Sequence, residues 1–173
     1  MPKVVDLCIS EVSKVVDLKD RKIIEPAGGT GEFIDGLLRA GVRSENITSF
    51  DLDPRHPMVK KGDFLTQKIK TKGLTISITN PPFGRASSLA KKFFNKDAES
   101  SQYICYLVPK SWRKWSVQNS LDPYFHLVSD VELPKNCFYL PDGSKKEKSV
   151  LNTVFQIWEK RDYVRKKIKI PDH

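Results

Sequence analysis

The sequence Leu74-Thr75-Ile76-Ser77-Ile78-Thr79-Asn80-Pro81-Pro82-Phe83-Gly84 joins a β-branched apolar run to an unusual polar ending. The run over 74–79 predicts a buried strand. The two prolines remove two backbone donors and impose an extended path, which leaves the Asn80 amide pointing out of the sheet edge beside the Phe83 ring. Such an ending can hold an exocyclic amino group against a flat partner. A strand-ending turn with Phe83 in the core is the structural alternative.

The segments around this ending alternate between strand and helix patterns. Strand patterns cover 21–25, 46–51, 59–64, 74–79, 103–108, 126–133 and 150–158, and helix patterns cover 4–18, 32–40, 87–97 and 116–121. This alternation predicts one Rossmann-like α/β domain with a mostly parallel, seven-stranded sheet and helices on both faces. Because no helix separates the last two strands, we expect the last strand to pair antiparallel at one edge.

Composition limits the class of protein. The 173 residues suit one domain, which we place at 1–160, followed by a basic tail over 161–173. We expect the strongly charged last residues, Glu159 to His173, to fray or to be disordered. The sequence shows neither a membrane span nor a signal peptide, so we expect a cytoplasmic protein, associated with a nucleoid or viral genome. Scattered cysteines and histidines predict no metal site. The net charge of +9 favours a nucleic-acid partner, and a merely well-solvated basic surface is the alternative.

A second motif, Glu25-Pro26-Ala27-Gly28-Gly29-Thr30-Gly31-Glu32-Phe33, lies between a predicted strand and a predicted helix. Its glycines allow a tight turn and a close approach of the backbone to a ligand. In parallel sheets, ligands bind outside the carboxyl ends of the strands. The Glu25 carboxylate at such an end suits a cationic or amino-bearing ligand better than a pyrophosphate. A structural turn with a solvated Glu25 is the alternative.

Acidic residues at two later strand ends extend this candidate site. Asp51 follows the glycine loop by about 20 residues, a spacing suited to a residue that binds a ribose diol. Its neighbour Leu52 is placed to pack on an adenine face. Asp63, in Gly62-Asp63-Phe64, could accept the amino group of that adenine, although a plain turn explains this motif equally well.

The order EPAGGTGEF, FDLDP, GDF and NPPFG resembles the class I S-adenosylmethionine-dependent methyltransferases, most closely the N6-adenine DNA methyltransferases. The segments NPPFGRASSLAKKFF, VPKSWRK, SVQNSLDPYFHL and NTVFQIW look like small phage, bacterial or viral members. The resemblance extends from about Ile23 to Trp158. Because NPPF or NPPY also occurs in rRNA N6-adenine, rRNA N2-guanine and protein-glutamine methyltransferases, it indicates the cofactor and the reaction more specifically than the substrate.

The resemblance implies S-adenosylmethionine as the cofactor and two sets of site residues. The expected cofactor residues are Glu25, Pro26, Ala27, Gly29, Gly31, Phe33, Asp51, Leu52, Asp63, Phe64 and Asn80, and the expected catalytic residues are Asn80, Pro81, Pro82 and Phe83. The Asn80 side-chain oxygen and the Pro81 carbonyl would accept both N–H groups of a target amine, so that its lone pair faces the sulfonium methyl group. Phe83 would stack on the target base after that base has flipped out of a duplex.

Two basic segments are expected to hold the nucleic acid, with DNA favoured over RNA. Lys110-Ser111-Trp112-Arg113-Lys114-Trp115 interleaves cations with aromatics, and tryptophans anchored in the core are its alternative. The segment 134–149 reads as a basic flap or a solvated loop. The residues predicted to bind nucleic acid are Lys110, Trp112, Arg113, Lys114, Lys135, Asn136, Lys145 and Lys146.

A separate target-recognition domain, usual in sequence-specific DNA methyltransferases of this type, has no counterpart in the sequence. Low specificity, short sites read by the two basic segments, or a protein partner that supplies recognition would each account for this. An RNA amino-methyltransferase and a non-catalytic nucleic-acid-binding subunit are the alternative functions.

Overall fold

The computed structural model describes residues 2–70, 73–133 and 152–167. Its strands are β1 (Lys22–Glu25), β2 (Ile47–Asp51), β3 (Val59–Lys61), β4 (Thr75–Thr79), β5 (Tyr103–Pro109), β6 (Phe125–Glu132) and β7 (Thr153–Lys160). Its helices are α1 (Pro2–Val15), α2 (Glu32–Arg39), α3 (Ser88–Asp97) and α4 (Trp115–Gln118). No helix in these described ranges is both long and apolar enough to cross a membrane.

The strands form one seven-stranded sheet in the order β3-β2-β1-β4-β5-β7-β6. Pairing is parallel from β3 through β5, and β7 runs antiparallel to both of its neighbours, β5 and β6. This confirms the predicted Rossmann-like sheet with an antiparallel last strand. The strand order reverses between β1 and β4, and ligands of such sheets bind at this switch point. Glu25, Asp51 and Asn80 all lie at the carboxyl edge formed there.

Helices cover both faces of the sheet, and each face has its own apolar core. On one face, α1 and α2 pack through residues such as Cys8 and Leu37 against Ile23 of β1. On the other, Phe94 of α3 is the centre of an aromatic cluster. Its ring meets those of Tyr106, Phe125 and Trp158 edge-on, at centroid distances of 5.8, 5.7 and 5.5 Å. We call the cluster around Phe94 the α3-side core.

The chain after β7 differs from the expected frayed tail. Residues 161–167 fold back onto the domain, and the Arg165 guanidinium lies 5.3 Å from the centroid of the Trp158 ring. The guanidinium donates hydrogen bonds to the carbonyl oxygens of Gln118, Leu121, Asp122 and Phe125. The predicted fraying is therefore wrong for Glu159 and Lys160, which belong to β7, and for 161–167, because the Arg165 side chain satisfies carbonyls of α4, of β6 and of the connection between them.

Candidate functional site

Two adjoining cavities lie at the carboxyl edge of the sheet. The first lobe has a volume of about 150 Å³ and is lined by Val4, Val5, Glu25, Ala27, Gly28, Gly29, Thr30, Glu32, Phe33, Asn80 and Leu107. The second lobe has a volume of about 360 Å³ and is lined by Pro26, Ala27, Asp51, Leu52, Gly62, Asp63, Phe64, Leu65, Asn80, Pro81, Pro82, Leu89 and Phe93. Ala27 and Asn80 line both lobes, so the cavities meet at the switch point between β1 and β4.

The glycine loop turns from β1 into α2 with two residues in the left-handed region. Gly29 has a φ of 53° and Gly31 a φ of 80°, a conformation that other residues adopt only with strain. The Gly28 N–H donates to the Phe50 carbonyl at 2.9 Å, which ties the loop to β2. A Cβ atom on Gly28 would lie 2.2 Å from the Ser49 Oγ atom. The loop therefore packs closely over β2 and places its backbone along the first lobe.

His56 joins the glycine loop to the loop after β2, a contact that no sequence pattern indicated. Its Nδ1 accepts a hydrogen bond from the Met58 N–H at 3.1 Å, so Nε2 carries the ring hydrogen and donates to Asp35 Oδ1 at 2.9 Å. A Cβ atom on Gly31 would lie 2.1 Å from the His56 ring. Gly31, expected to hold the cofactor, thus lies under His56 rather than in the lining of either lobe. We call this contact the His56 clasp.

Glu25 places a buried carboxyl group in the first lobe. The residue is 2% exposed, and its Oε1 atom accepts a hydrogen bond from the Ala27 N–H at 2.9 Å. Burial raises the pKa of this carboxyl from 4.5 to about 8; hydrogen bonding works in the opposite direction, and the nearby Asp97 and Asp51 raise it further. An ammonium group beside Glu25 would stabilise the carboxylate form. The first lobe therefore fits a cationic amino group.

Asp51 supports the glycine loop and also borders the second lobe. Its Oδ2 accepts a hydrogen bond from the Gly29 N–H and its Oδ1 one from the Asp53 N–H, both at 2.9 Å. Each carboxylate oxygen keeps a further lone pair, so both can still accept hydrogen bonds from ligand hydroxyls. Leu52, on the wall of the same lobe, is 69% exposed. A flat ring bound in this lobe would cover that apolar surface.

Asp63 and Phe64 complete the second lobe from the side of α3. The predicted third strand ends early, at Lys61, because Asp63 caps a 3-10 turn over Phe64–Thr66 and accepts a hydrogen bond from the Leu65 N–H at 3.0 Å. Phe64 is 1% exposed and packs on Phe93 at a centroid distance of 5.3 Å. Asp63 therefore has the structural role of a turn residue, which was the alternative to a cofactor contact, and it also lines the second lobe.

The Asn80-to-Phe83 ending presents one free amide on a fixed loop. Asn80 is exposed, and its side chain makes no hydrogen bond with any described residue, whereas Pro81 is buried. The Phe83 carbonyl accepts hydrogen bonds from the Leu89 N–H at 3.2 Å and the Ala90 N–H at 3.4 Å, which satisfies donors in the first turn of α3. The half-buried Phe83 ring packs against the α3-side core and does not line either lobe. The Asn80 amide thus remains available to a ligand.

The structure contradicts the predicted stacking role of Trp112. The residue is fully buried in the α3-side core, where its ring lies 6.1 Å from Phe94 and 6.2 Å from Tyr106 between centroids. The core alternative was correct for this tryptophan, because the backbone turns over Lys110–Arg113 immediately after β5 and carries the indole ring inward.

The cations around Trp112 are mostly paired with carboxylates of β6. The Arg113 guanidinium lies 2.6 Å from Asp130 and 3.1 Å from Glu132, and the Lys110 ammonium group lies 3.3 Å from Glu132. Their charges are compensated, which argues against the predicted phosphate contacts. Lys114 is exposed and has no ion pair with a described residue. The predictions for Lys135, Asn136, Lys145 and Lys146 fall outside the described residues.

The first turn of α1 is a part of the site that sequence reasoning did not assign. Val4 and Val5 line the first lobe, opposite Leu107 of β5. Helix α1 reaches this position because it crosses α2 at Gly36, where an added Cβ would lie 2.3 Å from a methyl group of Val5. A glycine inside a helix is unfavourable without a packing reason, so Gly36 was the available signal of a close helix crossing.

Sequence comparison finds similarity to methyltransferases over part of the chain. No protein-family model matches the chain. A type II methyltransferase, M.HincII of Haemophilus influenzae, is 30% identical over 112 residues, which cover 63% of this chain and 20% of the relative. The chain thus spans about a fifth of the length of this curated relative.

Structural comparison finds the same fold in solved methyltransferases. A putative RNA methyltransferase from Pyrococcus horikoshii matches with a TM-score of 0.69 and 16% identity, over 91% of this chain and 84% of that one. A putative class I S-adenosylmethionine-dependent methyltransferase from Listeria monocytogenes matches with a TM-score of 0.61 and 15% identity, over 99% and 62% of the two chains. The resemblance inferred from the motifs is thereby confirmed, and the chain has the class I methyltransferase fold.

Proposed function

We propose that this chain is an S-adenosylmethionine-dependent methyltransferase that acts on an exocyclic amino group, N6 of adenine in DNA. The position of Asn80 carries the proposal: its free amide lies where the two lobes meet, next to a lobe that fits an ammonium group. The fold and the similarity to M.HincII support the same reaction.

The residues of the two lobes match the parts of S-adenosylmethionine in order. When bound, this cofactor supplies a methyl group activated by a sulfonium. Glu25 in the first lobe pairs with the ammonium group of the methionine part, and Asp51 accepts hydrogen bonds from the ribose hydroxyls. In the second lobe, Leu52 and Phe64 enclose the adenine and Asp63 accepts a hydrogen bond from its amino group.

The Asn80 ending prepares the target nitrogen for attack. An exocyclic amine is a poor nucleophile because its lone pair is delocalised into the ring. The Asn80 Oδ1 atom and the Pro81 carbonyl accept hydrogen bonds from the two N–H groups of the target amine. The amine nitrogen then becomes pyramidal, and its lone pair faces the methyl carbon of S-adenosylmethionine. S-adenosylmethionine held by these residues would supply its methyl group to this lone pair and leave as a neutral thioether, and the methylated nitrogen would release one proton to solvent. The exposed part of the half-buried Phe83 ring would support the base beside this position.

The choice of DNA rests on the motif resemblance and on similarity in sequence to a type II methyltransferase. A protein partner that supplies target recognition is part of the proposal, as the sequence predicts.

Labelled S-adenosylmethionine, incubated with the chain and with separate DNA and RNA pools, tests the proposal when the products are resolved as nucleosides. We expect label in N6-methyladenine from DNA, and Asn80→Ala should lower the rate at least about 100-fold, the scale of a misplaced reacting group. Asn46→Ala, the same change at the opposite edge of the sheet, serves as the control. Label in RNA would replace the DNA assignment, and an undiminished rate in Asn80→Ala would refute the role of this motif.

A further inference from the structure

The surface cations near the site divide into paired and unpaired groups. Those after β5, Lys110 and Arg113, are paired with β6. A second group has no ion pair with any described residue and lies on the side of the sheet covered by α3: Lys60, Lys68, Lys70, Arg85, Lys91 and Lys92. We call these residues the α3-side basic surface.

Packing fixes the first three of these cations on one face. Lys60 of β3 lies opposite Phe50 of β2, and partners in register share a face of the sheet. Phe50 belongs to the α3-side core, so Lys60 lies on that face. Ile69 packs against the same core, and its exposed neighbours Lys68 and Lys70 therefore flank it on the outside.

Helix α3 contributes the other part of the surface. Its buried residues are Ala90, Phe93, Phe94 and Asp97, and Lys91 and Lys92 lie outside that buried stripe. The contact of Phe93 with Phe64 holds α3 against the 3-10 turn that precedes Lys68 and Lys70. The exposed Arg85 follows Phe83 by two residues and so links this surface to the Asn80-to-Phe83 ending.

We propose that the α3-side basic surface binds the phosphate backbone of the nucleic acid whose base is methylated, an inference that rests on the proposed function. The inner residues of its elements, such as Leu65 and Phe93, line the second lobe, and the outer residues carry the cations. Over 59–70 and 84–96 the sequence contains one carboxylate, Asp63, and that residue lies in the lobe wall. A phosphate chain that approaches Asn80 over these two segments would thus meet mainly cations.

Fluorescence anisotropy of a labelled DNA duplex, measured from low to moderate salt, tests the inference. The double variants Lys68→Gln/Lys70→Gln and Lys91→Gln/Lys92→Gln should each weaken binding at least about threefold. Log affinity falls as log salt rises, and in each variant this negative slope should become shallower by about 0.9 for every phosphate that the variant no longer neutralises. The control, Lys19→Gln/Lys22→Gln, removes the same charge from exposed positions at the amino edge of the sheet.

The outcomes separate this inference from the proposed function. Unchanged affinity and slope in both surface variants would overturn the inference, as would an equal loss in the control, which would indicate a general effect of net charge. Calorimetric binding of S-adenosylmethionine should be the same in the wild type and in all three variants. If the wild type bound no S-adenosylmethionine, the proposed function would fail independently of the DNA result.

Discussion

Replacing Glu25 with glutamine should make the free energy of unfolding less dependent on pH. Burial raises the pKa of this carboxyl from 4.5 to about 8 in the folded chain. The folded state therefore holds the proton more tightly than the unfolded state does. The stability that results is fully present below about pH 4.5, falls as the pH rises, and is lost above about pH 8. Glutamine resembles the protonated carboxyl but does not titrate.

The size of the effect follows from the two pKa values. One pH unit corresponds to about 1.4 kcal/mol, so the difference between 4.5 and about 8 amounts to about 5 kcal/mol. Between pH 5.5 and pH 8.5 the accessible part is about 3 kcal/mol. Asp97, whose pKa is raised by burial to about 7, contributes in the same direction in both proteins. The difference between the wild type and the variant therefore reports Glu25 together with its smaller electrostatic coupling to Asp97.

Urea unfolding at pH 5.5 and pH 8.5 measures this difference directly. The wild type should lose about 3 kcal/mol more than Glu25→Gln between the two conditions. Glu45→Gln, at a side chain that is 70% exposed, is the matched control and should retain the pH dependence of the wild type. If Glu25→Gln kept the same pH dependence as the wild type, the carboxyl would not be protonated in the folded chain and the reasoning would be refuted.

Three further predictions concern the cofactor and the core. Asp51→Ala should lower the affinity for S-adenosylmethionine by about tenfold or more in calorimetry, since it removes an acceptor of charged hydrogen bonds, whereas Asp53→Ala should change it little. Trp112→Ala should lower the free energy of unfolding by about 3–5 kcal/mol in urea titrations because the indole is fully buried, and Lys114→Ala by no more than about 0.5 kcal/mol. Binding of S-adenosylmethionine at pH 7 should release close to one proton as Glu25 ionises; equal heats in buffers of different ionisation enthalpy would contradict this.

The fold could be predicted because its signals are local. Each strand is marked by β-branched apolar residues, and each helix by apolar residues at helical spacing. The carboxyl ends of parallel strands meet at one edge, so Glu25, Asp51 and Asn80 could be grouped before their distances were known. The glycines permit the tight turn of the loop, and the two prolines impose the extended path after Asn80. Both features could therefore be identified from the sequence.

The failed predictions for the segment after β5 and for the end of the chain depend on distant partners. Nothing in the sequence Lys110-Ser111-Trp112-Arg113-Lys114-Trp115 shows that Trp112 turns inward. Nor does it show that Arg113 donates a hydrogen bond to Asp130, a residue of β6. The docking of Arg165 likewise depends on carbonyls more than 40 residues earlier in the chain. Interleaved cations and aromatics are therefore ambiguous until the fold shows which of them have carboxylates or a core beside them.

The His56 clasp has a consequence for the kinetics of ligand binding. Gly31 is covered by the imidazole ring, which is itself held by Asp35 and Met58, so the glycine loop is ordered in the ligand-free chain. A preorganised loop does not lose conformational entropy when a ligand arrives, and the affinity is not reduced by that cost. Cofactor association should therefore proceed in one kinetic phase whose rate increases linearly with concentration, without a later isomerisation that orders this loop.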